Sequence, residues 1–85
     1  MKIKYYHLIF RILAKMDFRE LVAKNINELI RVSGKSKTQV ANELRVKPAT
    51  VTEYTSGKAL PSLEKAKQLC VILTCTYEDI MGPLE

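Results

Sequence analysis

Side chains that could carry acid–base, thiol or metal chemistry are scattered in this 85-residue sequence and form no recognisable catalytic or metal-binding set. The single histidine, His7, lies far from both Cys70 and Cys75, and neither cysteine has the further ligands of a metal set nearby. The run from Ser33 to Ser36 lacks the remaining residues of a phosphate-binding loop. The sequence therefore predicts that the protein is not an enzyme and uses neither a metal nor another cofactor.

A different chemistry is indicated between Ser36 and Leu60, which read SKTQVANELRVKPATVTEYTSGKAL. A short capped segment ends near Arg45, and a second short segment runs from Pro48 to Gly57. Two short amphipathic helices joined by so tight a connection match a helix-turn-helix, which usually places its second helix in the major groove of DNA. DNA binding is therefore the leading functional hypothesis.

The elements around this stretch are predicted from capping residues and apolar periodicity. Asp17 and Glu20 have capping-box spacing and begin the clearest helix, which Ser33 and Gly34 end. Its predicted apolar stripe comprises Phe18, Val22, Ile26, Leu29 and Ile30. Ser36 and Gln39 form a second predicted capping box, which begins a helix whose buried stripe is Val40, Ala41 and Leu44. Val46 is expected to fill the following turn from inside.

Three further helices complete the prediction. Pro48 suits the first turn of the third, in which Val51 and Tyr54 face inward. The remaining sides of this helix are predicted to carry Thr50, Thr52, Glu53 and Thr55. Ser62 caps the fourth, whose expected stripe is Leu63, Ala66, Leu69, Cys70 and Leu73. The last begins at Thr76, extends to about Met81 and is stopped by Gly82 and Pro83. The fold class is therefore predicted to be all-α, with five short helices behind an extra N-terminal segment.

The N-terminal segment, residues 1–16, is predicted to be an extension of a domain covering residues 17–85. It contributes +4 of the net charge of +5, so the body of the domain is nearly neutral. Its apolar residues favour a helix over 3–15, although a strand over 3–10 remains an alternative. A segment this apolar should pack on the domain or on a partner chain. A further hypothesis makes Met16 the natural start, because the capping box follows directly at Asp17.

Composition and cysteine usage indicate a soluble cytoplasmic protein. The apolar run at the N terminus is broken by His7 and Arg11, lacks a signal-cleavage site and is too short and charged to cross a bilayer. Cys70 and Cys75, five residues apart, would lie on different faces of one helix and are poorly placed to bond each other. We expect two reduced, partly buried thiols.

Residues 18–81 resemble the helix-turn-helix domain shared by lambdoid phage repressors, Cro and the xenobiotic-response-element (XRE) group of regulators. The resemblance covers about three-quarters of the chain, and its marks occur in the family's order and spacing. These marks are Ser36, Val40-Ala41, Val46, Val51, Tyr54, Gly57, the run Pro61-Ser62-Leu63, and an ending that comprises Leu73, Tyr77-Glu78-Asp79 and Ile80-Met81. The resemblance implies a compact, lambda-repressor-like fold of five helices.

The resemblance also implies a recognition helix at about residues 48–56, docked in the major groove, and indicates which residues contact DNA. Lys37 and Lys47 hold positions that contact phosphates, Lys37 as a point charge where the family often has Gln. Ser56 and Lys58 follow the recognition helix, where backbone contacts are common, and Thr50 is intermediate between packing and phosphate contact. The positions facing the groove hold Pro48, Ala49, Thr52 and Glu53.

The chain departs from the family at the first two positions of the recognition helix. Pro48 and Ala49 donate no hydrogen bond from their side chains, whereas strong base readers use Gln, Asn, Arg or Ser there. Ala49 and Thr52 could contact thymine methyl groups, and Glu53 could accept from cytosine N4. These departures predict modest specificity, with water-mediated contacts or shape readout.

The resulting hypothesis is a sequence-specific, repressor-like transcriptional regulator of bacterial or phage type. It would bind double-stranded DNA as a homodimer, through either the N-terminal segment or the last helix. The alternative is an antitoxin-like or other protein-interaction module that uses the same fold. A third alternative without any DNA contact is that Lys37, Lys47 and Lys58 form only a solvated face of the protein.

Overall fold

The computed structural model describes residues 17–82, and these contain only helices and their connections. There are five helices in this part of the chain: α1 (Phe18–Ser33), α2 (Lys37–Leu44), α3 (Pro48–Ser56), α4 (Leu63–Leu73) and α5 (Tyr77–Met81). The all-α, five-helix prediction is confirmed. The predicted helix over 3–15 lies outside the described residues, and the domain boundary at 16/17 stays a prediction.

Side-chain caps define where four of these helices begin. Asp17 and Thr76 form reciprocal capping boxes with Glu20 and Asp79. Ser62 accepts a hydrogen bond from the Lys65 amide at 3.2 Å. These bonds satisfy amide donors that a helix leaves unpaired in its first turn. The predicted starts of α1, α4 and α5 are therefore confirmed.

The predicted capping box of α2 is only half formed. The Ser36 hydroxyl accepts from the Gln39 amide at 3.0 Å, as expected. The Gln39 side chain, however, donates to Glu43 Oε2 at 3.2 Å instead of returning to the backbone of Ser36. An acceptor one turn further along the helix attracts the Gln39 amide away from the cap, so Ser36 alone caps α2.

Left-handed backbone conformations end the first four helices. Gly34 and Gly57 have φ of 79° and 83°, as predicted for helix-terminating glycines. Arg45 and Thr74 adopt the same region with φ of 63° and 52°, although each carries a side chain. This region is uncommon for residues other than Gly, so the sharp ends of α2 and α4 are imposed by their surroundings.

A single hydrophobic core lies between the helices. α1 packs against α3 and α5, while α2 packs against α3 and α4. Val46 is half-buried against the core, as predicted for a residue filling the turn. The buried apolar side chains are Val22, Ile26, Ile30, Val40, Ala41, Leu44, Val51, Tyr54, Ala66, Leu69, Leu73, Ile80 and Met81. The apolar stripes of all five helices therefore meet in one core.

Three stripe assignments need correction. Phe18 and Leu63, predicted to be buried, are 46% and 66% exposed. Each is the first residue of its helix, and the buried part of each stripe begins about one turn later, at Val22 and Ala66. Thr55, expected on the solvent side, is buried, and its hydroxyl donates to the Thr52 carbonyl at 3.2 Å. That bond allows a polar side chain to occupy a buried position.

Hydrogen bonds from side chains tie distant elements together. Asn25 on α1 donates to the Ile80 carbonyl of α5 at 2.8 Å and also to the Gly82 carbonyl. Lys35 bonds the Ile72 carbonyl of α4 at 2.9 Å and forms an ion pair with Glu43 of α2 at 2.8 Å. Carbonyls at the ends of α4 and α5, which lack partners within their own helices, are thereby satisfied.

The prediction that Cys70 and Cys75 lie on different faces of one helix is wrong. Because α4 ends at Leu73 and Thr74 turns left-handed, the chain folds back and the Cys75 amide donates to the Cys70 carbonyl at 2.9 Å. Both cysteines are free and half-buried. Burial and then the neighbouring Cys70 raise the pKa of Cys75 to about 11.

Alkylation should reveal this protected thiol. With a pKa of about 11 against an ordinary value of 9.0, Cys75 has far less thiolate below pH 9 than it has in the unfolded chain. Since the thiolate is the nucleophile, we expect iodoacetamide at pH 8 to modify Cys75 at least about tenfold more slowly in the folded protein than in urea. Peptide mass spectrometry of timed samples measures the rate. Equal rates in both states would contradict the burial of this thiol.

None of the helices within residues 17–82 is both long and apolar enough to cross a lipid bilayer.

Candidate nucleic-acid interface

The arrangement of α2 and α3 depends on a three-residue connection. Arg45 adopts the left-handed conformation, which lets the Val46 amide donate to the Ala41 carbonyl at 3.0 Å. Lys47 then takes an extended conformation and becomes the N-cap of α3. Pro48 follows at the first helical position, where its fixed φ and missing N–H are tolerated. The connection therefore holds α3 against α2 at a fixed angle.

One face of α3 is buried and the other is open to solvent. Val51 and Tyr54 are 1% and 7% exposed, as predicted for the inward face. Thr50 is half-buried, which fits its predicted intermediate position. The residues predicted to face the bases are all exposed: Pro48, Ala49, Thr52 and Glu53. The structure thus brings these four side chains to the outward surface of α3.

The three predicted phosphate-contacting lysines lie at the beginnings of α2 and α3 and directly after α3. Lys37 is the first residue of α2, Lys47 caps α3, and Lys58 follows Gly57. All three are exposed. The Lys58 amide donates to the Glu53 carbonyl at 3.0 Å, which fixes its backbone directly after α3. Ser56 is also exposed, and its hydroxyl donates to the same carbonyl at 3.3 Å.

The electrostatics at the beginnings of α2 and α3 favour an anion. Neither helix has an acidic residue in its first turn, whereas α1, α4 and α5 each have at least one. The partial positive charge of these two helix N-termini is therefore not compensated by their own side chains, and Lys37 and Lys47 add to it. Such a surface can bind phosphate groups.

Acidic residues near this surface differ in how strongly they oppose an anion. Lys35 hydrogen-bonds Glu43 and lowers the pKa of that carboxyl, with Gln39 contributing a second bond. The charge of Glu43 is therefore balanced within the protein. Glu53 is exposed on α3. Burial of Tyr54 is the larger cause that raises the pKa of Tyr54, and the negative charge of Glu53 is the second. Glu53 is thus the acidic group that any polyanion docking on α3 must accommodate.

Comparison with protein-family models decides which family this arrangement represents. A model described as helix-turn-helix matches residues 28–80, well over half of the chain. The chain belongs to the helix-turn-helix family. The resemblance to XRE and lambda-repressor-like domains is thereby confirmed, and the matched region contains α2, the connection and α3 of this helix-turn-helix protein.

Solved structures share the fold of this helix-turn-helix protein. The SOS-response transcriptional repressor LexA from Eubacterium rectale is similar with a TM-score of 0.74 and 23% identity, over 84% of this chain and 78% of that one. A transcriptional regulator from Listeria innocua has a TM-score of 0.68 and 28% identity, over 75% of this chain and 60% of that one. The chain therefore spans less than two thirds of the Listeria protein. No curated protein matches it.

The family and its fold support a DNA-binding regulator, of a kind that is generally non-enzymatic. Within residues 17–82, no group of three or more His, Cys, Asp or Glu side chains is arranged to hold a metal ion.

The residue that ties α3 to α1 was not anticipated from the sequence. Asn27, on α1, donates from Nδ2 to the Thr55 carbonyl at 2.7 Å and to the Ala23 carbonyl at 3.0 Å. A single polar residue on an amphipathic helix is indistinguishable in sequence from a solvated surface residue, and 28 positions separate it from its partner on α3. Only the packing of α1 against α3 reveals the contact.

Proposed function

We propose that this protein is a sequence-specific transcriptional regulator that places α3 in the major groove of DNA and represses by occupying an operator. Its family and its fold support the more general function of a DNA-binding regulator. The observation that carries the proposal is the set of exposed side chains at the N-terminus of α2, on the outward face of α3 and at Lys58.

The proposal assigns two kinds of contact to this surface. Lys37, Lys47 and Lys58 position the protein on phosphates, and Ser56 adds a polar contact at the end of α3. Ala49 and Thr52 present methyl groups to thymine, while Glu53 accepts from cytosine N4. Pro48 faces the groove without donating a hydrogen bond. Thr50 lies between the side of α3 that packs on the core and the side that faces the DNA backbone. Specificity therefore rests mainly on Thr52 and Glu53.

A homodimer is part of the proposal, because two copies of α3 one DNA turn apart would match a palindromic operator. The dimer surface is proposed to be either residues 3–13 or the last helix together with Leu84. Such a regulator would act in the cytoplasm, where bacterial or phage DNA is transcribed. Both solved neighbours are described as transcription regulators, and the Eubacterium rectale protein as a repressor.

Exposed apolar side chains favour protein interaction as a second candidate function. Val32, Leu63 and Val71 are 68%, 66% and 80% exposed. Large apolar residues left in water can mark surfaces that bind another protein. An antitoxin-like module would use such a surface for its partner, with or without DNA binding by α3. Failure to bind any duplex at low salt, with a stoichiometric protein partner copurifying, would support this candidate.

Replacing Glu53 by Gln tests the base-facing role of α3. The amide adds donors and removes the charge, so we expect the preferred base at the contacted position to change from cytosine toward adenine, with discrimination of about 1–3 kcal/mol. Selection from a randomised duplex pool, followed by sequencing, measures this preference. Thermal stability should change little, because Glu53 is exposed.

The matched control for this test is Glu64→Gln. Glu64 is an exposed carboxylate in the first turn of α4, away from α3. The Glu64→Gln substitution removes the same charge as Glu53→Gln, so any general electrostatic gain in affinity for DNA appears in both variants. If E53Q and E64Q select the same sites as the unmodified protein, Glu53 does not face the bases. A collapse in the stability of E53Q would show that this face of α3 has been misassigned.

A further inference from the structure

α3 is a short helix with little support at its N-terminus. It has nine residues, and its N-cap, Lys47, makes no side-chain capping bond, whereas the other four described helices have one. Helices of this length are unstable alone in water, so the geometry of α3 depends on what packs against it.

α1 supplies a specific attachment at the other end of α3. The Asn27 amide donates one bond within its own helix, to the Ala23 carbonyl at 3.0 Å, and the other across to the Thr55 carbonyl at 2.7 Å. Both bonds come from the same Nδ2 atom, so the orientation of the amide is set by α1. About two turns before Asn27 on α1, an added Cβ at Gly57 would lie 3.7 Å from the Arg19 carbonyl oxygen, which shows how closely the chain after α3 approaches α1.

The attachment continues toward the base-facing residues. Asn27 bonds the carbonyl of Thr55, and the hydroxyl of Thr55 donates to the carbonyl of Thr52 at 3.2 Å. Thr55 is buried and Asn27 is exposed, so these bonds lie at the edge of the core. Thr52, its last member, presents its own side chain on the exposed face of α3.

We propose that Asn27 is a positioning residue for DNA recognition, which fixes the C-terminal end of α3 against α1 so that Thr52 and Glu53 meet the bases in register. The role rests on the proposed function of α3 in the major groove. Asn27 acts through α3 and not through its own contact with DNA. Its loss should therefore reduce affinity for the preferred site more than affinity for an unrelated duplex.

The chain offers a closely matched control in Asn25. It lies on the same helix and also donates from Nδ2 to backbone carbonyls of a distant element, but its partners are Ile80 and Gly82 at α5. Asn27→Ala and Asn25→Ala therefore remove the same chemical group and comparable bonds. Only Asn27→Ala should loosen α3. Asn27→Gln retains the donor and tests whether the bond itself restores function.

Binding is measured by fluorescence anisotropy on the full chain, with a selected 20-base-pair duplex and a scrambled duplex. We expect N27A to weaken binding to the selected duplex by about fivefold, the ratio that corresponds to one hydrogen bond, and N25A by less than about twofold. Binding to the scrambled duplex should stay within about twofold for both, since it depends on phosphate contacts. N27Q should recover at least part of the loss.

Hydrogen exchange of the free protein tests the attachment independently of DNA. We expect N27A to accelerate exchange of the Lys58 and Ala59 amides, which bond the Glu53 carbonyl at the end of α3, while N25A leaves them unchanged. Unchanged exchange in N27A, or equal losses on selected and scrambled duplexes, would overturn the role of Asn27. Failure of the unmodified protein to bind any duplex would instead overturn the proposed function, and the role in recognition with it.

Discussion

Changing Lys37 and Lys47 together to alanine is expected to weaken duplex binding on the order of 50-fold near 0.1 M salt and to lower the slope of log affinity against log salt by about two units. Each lysine that neutralises a phosphate releases counterions from the DNA, so each lost contact removes about one unit of slope. Both side chains are exposed at the beginnings of α2 and α3. A titration of labelled duplex at several salt concentrations measures both quantities.

Lys67→Ala is the control for this double change. Lys67 is an exposed lysine on α4, outside the surface formed by α2 and α3. The Lys67→Ala substitution lowers the net charge by one without removing a proposed contact, so the slope of log affinity against log salt should change by far less than one unit. If K67A and the double variant reduce the slope equally per charge, the lysines act only through net charge. A solvated face without DNA contact would then be the better description.

The largest effect on stability is expected from Ile26→Ala. Ile26 is fully buried in the middle of α1, the helix that packs against α3, α4 and α5. Removing its side chain loses apolar burial and leaves a cavity, so we expect the free energy of unfolding to fall by about 2–5 kcal/mol. That is a large part of the stability of a small domain, typically about 5–15 kcal/mol. Urea denaturation followed by circular dichroism measures it.

Val32→Ala provides the comparison on the same helix. Val32 is 68% exposed near the end of α1. The same kind of truncation there should change the free energy of unfolding by less than about 0.5 kcal/mol. Equal losses for I26A and V32A would mean that Ile26 does not lie in a packed core. A change in the denaturant slope would indicate altered compactness instead of a simple loss of packing.

Helix boundaries were predictable because the signals that set them are local. Asp17, Ser62 and Thr76 cap residues only two or three positions ahead. Gly34 and Gly57 end helices through their own backbone conformation. These interactions require no knowledge of the fold, so their residue types and spacing were sufficient. The buried apolar stripes were predicted equally well in the helix interiors, because α-helical periodicity decides which face of a helix is buried there.

The errors arose where tertiary packing decides the outcome. Phe18 and Leu63 continue their stripes in sequence, but each is the first residue of its helix and is exposed. Cys75 approaches Cys70 because Thr74, which is not a glycine, takes a left-handed conformation. Thr55 is buried because Asn27 and its own hydroxyl bond satisfy the polar groups around it. None of these features follows from periodicity.

The candidate interface divides in the same way. The exposure of Thr52 and Glu53 follows from the inward stripe of α3, and their role at bases was implied by the family resemblance. Their roles, like those of the lysines, stay predictions. The role of Asn27 was not predicted, because its partner Thr55 is 28 positions away in the sequence. The hydrogen bond from Lys35 to the Ile72 carbonyl, across 37 positions, was not predicted for the same reason. Contacts of that separation depend on how helices are assembled, which the sequence pattern alone does not specify.

Amide chemical-shift mapping during titration with a selected palindromic duplex is the most direct measurement of where DNA binds. We predict that the largest perturbations occur at the beginning of α2 around Lys37, along the outward face of α3 at Thr52 and Glu53, and at Lys58. The perturbations should weaken as salt is raised. Perturbations confined to α4 and α5 around Val71, or none at low salt, would contradict docking through α3.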